Sequence, residues 1–392
     1  MIPKRIDDIA EADIEALVED AVSEGRQIEY KRDLPGGTDD AKREFLADVS
    51  SFANGTGGDL LYGIKAEDGV PKQVPGLKDF NADGDVLRLE QVIQNGIDPR
   101  IPGIRMQPVG EFDLGPVLII RVPNSWTSPH MVTFKKWSRF FVRTDRGKQQ
   151  MDVREIGAAF ALSQALPERI RDFRDGRLGK VLAGETPVPL VANPRTVLHV
   201  IPLASLRSDF RIDLGRIPDH VRGIQTLDGT SMGGRFNLDG FVRYTGADAD
   251  GPGYTGYCQV FRTGTIETVD AYLVRERDGR GLIPHVLFEE NIARFLRGCL
   301  SGLHELDVPL PLVITASLTG VKGYEMAMVP GRMRFTSTPI DRDIVVLPDV
   351  LIEDYEADVP TVLRPIFDAI WNAAGWERSM NYTEEGRWEP EP

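Results

Sequence analysis

The residues best suited to chemistry stand in the run Glu24-Gly-Arg-Gln-Ile-Glu29-Tyr-Lys31. Gln27 to Arg32 alternates as a strand does, with Ile28 and Tyr30 on one face and Glu29 and Lys31 on the other. Two carboxylates near one strand suit Mg2+ or Mn2+, hard cations that prefer oxygen donors. A metal held there would lower the pKa of a bound water and neutralise charge on a scissile phosphate. Plainer roles are open to the same residues. Glu29 can form a salt bridge with Lys31 on an exposed strand face, and Glu24 can sit at a solvated helix end. Lys31 reads either as a phosphate contact or as the partner that keeps Glu29 ionised.

A second group of polar residues lies further along. Residues 131–150 hold Lys135, Lys136, Arg139, Arg143, Arg146 and Lys148 against a single acid, Asp145. Residues 1–100 carry 12 Lys+Arg against 22 Asp+Glu, a balance of −10. An acidic cluster facing a short basic segment is what a phosphodiester-cutting site needs. The alternative is a mixed surface whose charges segregate by segment. Lys135, Lys136, Arg139, Arg143 and Arg146 are interleaved with Trp137, Phe140 and Phe141, which suits a strand facing nucleic acid. The same pattern fits a surface strand with Phe140 or Phe141 in the core. His130 can contact a phosphate, act as an acid or be structural. His285, Glu289 and Glu290 fall at helical spacing and read as a solvated helix face. No Gly-x4-Gly-Lys-(Ser/Thr) sequence occurs, so neither a P-loop nor a nucleotide cofactor is expected.

Residues 11–23 place Ile14, Leu17, Val18 and Ala21 at helical spacing, with Gly25 as a stop signal. Leu34 to Asp40 is a loop in which Asp39 or Asp40 can cap the next helix. That helix buries Phe45, Leu46, Val49 and Phe52. Gly55, Gly57 and Gly58 end it and turn the chain into the apolar strand Leu60 to Ile64. Val86 to Gln94 repeats as a helix, Val117 to Val122 and Arg139 to Arg143 read as strands, and a helix runs from Asp152 towards Ala165.

This order of pieces resembles the Schlafen AlbA-2 family, whose pattern is Glu-x4-Glu-(Phe/Tyr)-Lys, then Phe-Ala-Asn-Thr-x-Gly-Gly, then a strand entering Gly-Val-Asp-Asp-Gly. Here the pieces are Glu24 to Lys31, Phe52 to Gly58 and Leu60 to Gly69, and the resemblance extends over about residues 12–165. It implies a metal-dependent endoribonuclease in which Glu24, Glu29 and an acid after the Gly63-Ile64 strand hold the metal. Lys65-Ala66 stands where the family has Asp-Asp, and the acids Glu67 and Asp68 come later: a one-residue bulge at the strand end can bring Glu67 into place, and without it the triad lacks a member. The resemblance implies structured RNA such as tRNA, or single-stranded nucleic acid, as partner, and a role in bacterial defence. It also implies two lobes around the RNA. One lobe is recognisable here, so a homodimer seated through the C-terminal half is expected. The rival reading is a non-catalytic nucleic-acid-binding regulator with a C-terminal sensor or oligomerisation domain.

With 392 residues, two domains are expected. The fold class is α/β (α+β): a Schlafen AlbA-2-like mixed-sheet domain over 1–165, a helix and linker over 166–190, an α+β domain over 191–380, and a mobile tail over 381–392. The second domain offers antiparallel strands near Gly240 and Tyr257, a long amphipathic helix from Val286 to Leu306 with Leu287 inward, and a helix from Thr361 to Trp376. The net charge of −14 argues against a protein that simply coats nucleic acid. No run of 18 apolar residues is present, the N-terminus lacks an apolar signal region, and Cys258 and Cys299 stand without metal-ligand spacing. A cytoplasmic location is expected.

Overall fold

The computed structural model describes residues 1–145, 147–206, 210–217, 223–247, 253–277, 279–327 and 337–390. The chain divides into two compact units, residues 1–167 and 168–392, and both mix helices with sheet.

In the first unit, β1 (Ile28–Lys31) runs parallel to β2 (Gly58–Tyr62). β2 pairs antiparallel with β7 (Gly115–Val122), and β7 with β6 (Arg105–Phe112). Between these strands lie the small hairpin β3 (Lys65–Glu67) and β4 (Val70–Gln73), and the short β5 (Ile97–Asp98). A second, antiparallel sheet has the order β10-β9-β8-β5, from β10 (Gly147–Gln150), β9 (Trp137–Thr144) and β8 (Met131–Phe134).

Strand periodicity explains how the first sheet is buried on both faces. Leu60, Tyr62, Leu118 and Ile120 share a core with Phe45, Leu46, Val49 and Phe52 of α2 (Asp39–Ala53) and Leu89 of α3 (Ala82–Gly96). Leu61, Val117 and Ile119 pack with Ile28, Tyr30 and with Ile14 and Leu17 of α1 (Glu11–Glu19) on the other side. The second sheet covers α2 through Val132, Trp137 and Phe141. The expected α2 stripe is therefore present. Its cap is Thr38, whose hydroxyl accepts from the Ala41 N–H at 3.2 Å, rather than Asp39 or Asp40.

The segment 166–190, expected as a helix running into a linker, is helical as far as residue 182. Helix α4 (Val153–Leu182) continues through Pro167, and the division between the units falls inside it. In the second unit one antiparallel sheet has the order β12-β13-β14-β15-β11-β18-β20. Its strands are β11 (Arg195–Pro202), β12 (Gly233–Phe236), β13 (Gly240–Tyr244), β14 (Gly256–Phe261), β15 (Ile266–Asp270), β18 (Leu312–Thr319) and β20 (Ile344–Val346), with β21 (Val350–Ile352) also on β18. A separate small sheet is formed by β16 (Arg275–Arg277), β17 (Arg280–Ile283) and β19 (Glu325–Met326). Helices α5 (His285–Glu305) and α6 (Val359–Ala373) share the main core with one face of the large sheet. Leu178 and Val181 of α4 pack on the other. Leu287, expected inward, is exposed.

Two buried carboxylates organise this unit. Glu267 accepts from Arg177 Nε and Nη2 at 2.8 and 2.7 Å, from the Tyr257 hydroxyl at 2.8 Å and from His199 Nε2 at 2.9 Å. Burial opposes its charge, but Arg177 and His199 outweigh it and pull the carboxyl down to about 2. Glu289, expected on a solvated face, is instead buried and accepts from the Trp371 and Trp388 indoles, both at 2.9 Å, and from Ser379 Oγ at 2.7 Å. The expected mobile tail is thereby seated over its described residues. Tyr382 is buried, donates to Pro360 O at 2.6 Å and bridges to Trp388. Among the described residues, no helix is long and apolar enough to cross a membrane.

Replacing Arg177 with Met should cost about 3–5 kcal/mol at pH 7, since it strips the main partner from a buried carboxylate. The Glu267 carboxyl is depressed on folding, so its contribution is complete above the unfolded carboxyl value. It is lost as pH falls towards about 2. Urea unfolding of both proteins should therefore show the difference shrinking in acid, and a pH-independent difference would contradict this account.

Candidate functional site

The site expected around Glu24 and Glu29 is built where β1, α2 and β9 meet. β2 can start beside α2 because residue 58 lacks a side chain. A Cβ on Gly58 would lie 2.5 Å from Phe52 Cε1. The amide of Asn54, at the C-terminal end of α2, joins the helix to the second sheet. Its Nδ2 donates to His130 O at 2.9 Å and to Phe141 O at 2.8 Å, and its Oδ1 accepts from His130 N at 2.7 Å. This stitching carries β9 and Arg143 over the helix end. His130 is buried, with Nδ1 against Pro99 O at 2.7 Å, and burial pushes its imidazole down.

Glu29 is held by cations on two sides. Its Oε1 meets Lys31 Nζ at 2.7 Å and its Oε2 pairs with Arg143 Nη2. Arg143 also donates Nε to Gly25 O at 2.7 Å, and its guanidinium lies 4.5 Å from the Phe52 ring centre. Lys31 continues to Asp48 Oδ2 at 3.7 Å, and Asp48 Oδ1 meets Lys148 Nζ at 2.8 Å. Lys148 reaches Glu44 Oε1 at 2.7 Å. Burial works against the Glu29 charge, but Lys31 and Arg143 outweigh it and hold the carboxyl below its usual range. For Asp48, only 2% exposed, burial prevails over Lys148 and Lys31 and the carboxyl is pushed up. Burial likewise opposes the Lys31 charge, yet Asp48 and Glu29 raise its ammonium above the ordinary lysine value.

Glu24 has a different job. Its Oε1 accepts from the Tyr30 N–H at 2.8 Å, and its own N–H donates to Gly69 O at 2.7 Å. It therefore ties the start of β1 to the β3–β4 turn. The expected bulge exists, as a register shift between Lys65 and Ala66, but it does not turn Glu67 inward. The Glu67 side chain remains 60% exposed and pairs with Lys65 Nζ at 3.3 Å. Asp68 is exposed and takes the left-handed turn position, with φ of 49°. Among the described residues, no group of three or more His, Cys, Asp or Glu side chains is placed to hold a metal ion. In this arrangement Glu24, Glu29 and Glu67 do not fit a divalent cation.

The basic segment divides in two. Arg143 and Lys148 turn inward to Glu29 and Asp48, while Lys135 pairs with Asp39 at 2.7 Å. Asp145 pairs with Arg26, also at 2.7 Å. The charge segregation visible in the sequence is thus largely cross-element pairing inside one domain. Lys136 and Arg139 are exposed and form no ion pair among the described residues. Arg146 lies outside the described residues. Lys135 and Lys136 occupy the two central positions of the β8–β9 hairpin with φ of 46° and 63°, a turn in which both central residues are left-handed. The aromatics between the cations are inward or covered: Phe141 and Trp137 pack at 5.5 Å between ring centres, and Phe140 meets Phe160 at 6.1 Å.

These elements reproduce the order expected of one family. Residues 24–152 match the family model described as Schlafen, AlbA_2. The matched segment covers both sheets of the first unit and stops before α4. No match was found among curated proteins. Among solved structures, the DIP2311 protein of Corynebacterium diphtheriae is 19% identical over 36% of this chain, with a TM-score of 0.25. This chain spans 26% of the length of that protein. The N-terminal domain of a protein described as related to the ATP-dependent DNA helicase RecG, from Nitrosomonas europaea, is 24% identical over 28% of this chain. It is covered over 71% of its own length, with a TM-score of 0.21.

Asp48 was not singled out by sequence reasoning. The available signal was its place four residues after Glu44, on a helix otherwise read for its apolar stripe. Replacing Arg143 with Ala should destabilise the protein by about 3–5 kcal/mol, because the Glu29 carboxylate loses one of its two cations. Glu67→Ala should stay within about 0.5 kcal/mol, as expected of an exposed residue. Urea unfolding of the two variants checks both, and equal effects would show that Glu29 does not depend on Arg143.

Proposed function

We propose that the Schlafen AlbA_2 segment binds nucleic acid without cutting it, through the cations of the β8–β9 hairpin and its neighbours, as the recognition domain of a regulator. The family match supports a nucleic-acid-related function for residues 24–152. The observation that carries the non-catalytic form of this reading is the state of Glu29. Both of its oxygens are taken by Lys31 and Arg143, and the two acids expected as a third ligand, Glu67 and Asp68, are exposed. A metal-bound water has no cage there, and the endoribonuclease reading needs one.

Lys136 and Arg139 are the side chains best placed to meet phosphates, since Lys135, Arg143 and Lys148 already neutralise acids. Their contribution is electrostatic and sequence-independent. Such a contact steers and positions the nucleic acid; selectivity has to come from elsewhere in the chain.

The test is binding of a fluorescein-labelled single-stranded oligoribonucleotide, followed by anisotropy at several salt concentrations. Lys136→Ala combined with Arg139→Ala should weaken binding by about tenfold or more. It should also reduce the salt slope by about 1.4, at roughly 0.7 per phosphate contact on a single strand. Adding Mn2+ or a chelator should leave binding unchanged and the RNA intact. Metal-dependent cleavage that disappears in Glu29→Gln would overturn the non-catalytic reading.

A further inference from the structure

The second unit carries a set of cations that the family match does not reach. β16 and β17 form a hairpin with Arg275 opposite Leu282, Glu276 opposite Gly281 and Arg277 opposite Arg280. Side chains alternate across a strand, so Arg275, Arg277 and Arg280 share one face, while Glu276 lies on the other. Arg277 and Arg280 stand directly across from each other, a pairing of like charges that weakens a hairpin. Only Arg280 has a counter-ion among the described residues, Glu325 Oε2 of β19 at 3.0 Å, and its side chain is still 67% exposed.

An aromatic ring adjoins the same hairpin. The Arg275 guanidinium lies 3.7 Å from the centre of the Tyr272 ring, and Tyr272 remains 44% exposed. The base of the hairpin is anchored. Leu273, Val274, Ile283 and Met326 are all buried in the main core of the unit. The cations and the ring are therefore displayed on a fixed support in a chain whose net charge is −14.

We propose that this hairpin face is a second docking surface for single-stranded nucleic acid, with Arg275, Arg277 and Arg280 meeting phosphates and Tyr272 stacking on a base. Planar guanidinium forks match phosphate oxygens, and an exposed ring beside them accepts any base. An acidic peptide would satisfy the arginines but has no base to stack on the exposed Tyr272 ring. The choice of partner rests on the nucleic-acid reading of the first unit; the surface itself does not.

The full chain is titrated into a fluorescein-labelled 12-nucleotide oligouridylate at several salt concentrations. Arg275→Ala with Arg277→Ala should weaken binding by about tenfold and reduce the salt slope by about 1.4. Its thermal midpoint should not fall, because one of two opposed like charges is gone. Tyr272→Leu should also weaken binding by about tenfold, with Tyr272→Phe at the parent value. An arginine double variant that binds with unchanged affinity and slope overturns the proposal. If that variant is unchanged while Lys136→Ala with Arg139→Ala weakens binding, the first unit's role stands and the hairpin's fails. The reverse result sustains the hairpin and removes the first unit's role. A parent chain that does not bind the oligonucleotide overturns both. Polyglutamate that competes as well as unlabelled oligouridylate overturns the choice of nucleic acid as partner.

Discussion

The pairing of Glu29 with Arg143 is the contact on which the first unit depends. It joins residues 114 positions apart and brings β9 of the second sheet against β1 of the first, across the end of α2. Around it, Glu29, Asp48 and Glu44 are matched by Lys31, Arg143 and Lys148, so the named members balance in charge. Partly buried charges tolerate such a site only when every member has a partner. The same balance leaves no vacancy for a divalent cation, which would have to expel Lys31 or Arg143. Structural demand on these acids and metal binding by them are therefore competing uses of one set of oxygens.

Much of the first unit was legible in its sequence because its signals are local. The alternation of Ile28 and Tyr30 marked β1, the stripe Phe45-Leu46-Val49-Phe52 marked α2, and the glycines at 57 and 58 marked the turn between α2 and β2. The site was less legible because its meaning lies in partners distant in sequence. The spacing of Glu24 and Glu29 is present, yet nothing local announces that Arg143 will reach the second of them or that Asp48 will reach Lys31. The bulge at Lys65 was anticipated, but whether Glu67 points in or out depends on the β3–β4 pairing, which sequence spacing does not fix.

The second unit was harder for a related reason. Glu289 has the spacing of a surface residue, and Trp371 together with the return of the chain near Ser379 and Trp388 encloses it. Residues 381–390 look like a polar tail, and their anchors are single aromatic side chains, which carry no periodicity to detect. Glu267 and His199 sit within strands as polar interruptions, and Arg177, the partner of Glu267, comes from a helix read as the approach to a linker. Buried carboxylates with complete hydrogen bonding fix which helix lies on which face more sharply than apolar contact does.

The turn at Lys135 and Lys136 has a consequence for the anion contact proposed at Lys136. Left-handed backbone costs an ordinary residue roughly 1–2 kcal/mol, and two successive residues bear that cost here. The strain is met during folding, by the flanking ladder of β8 and β9 and by the tether from Lys135 to Asp39. Were an anion to bind Lys136 as proposed, little backbone freedom would be left to lose, and binding would require ordering of one side chain and not of a loop. A glycine pair would fold with less strain but would present no charge. The hairpin tip is a backbone shape fixed before any ligand is present.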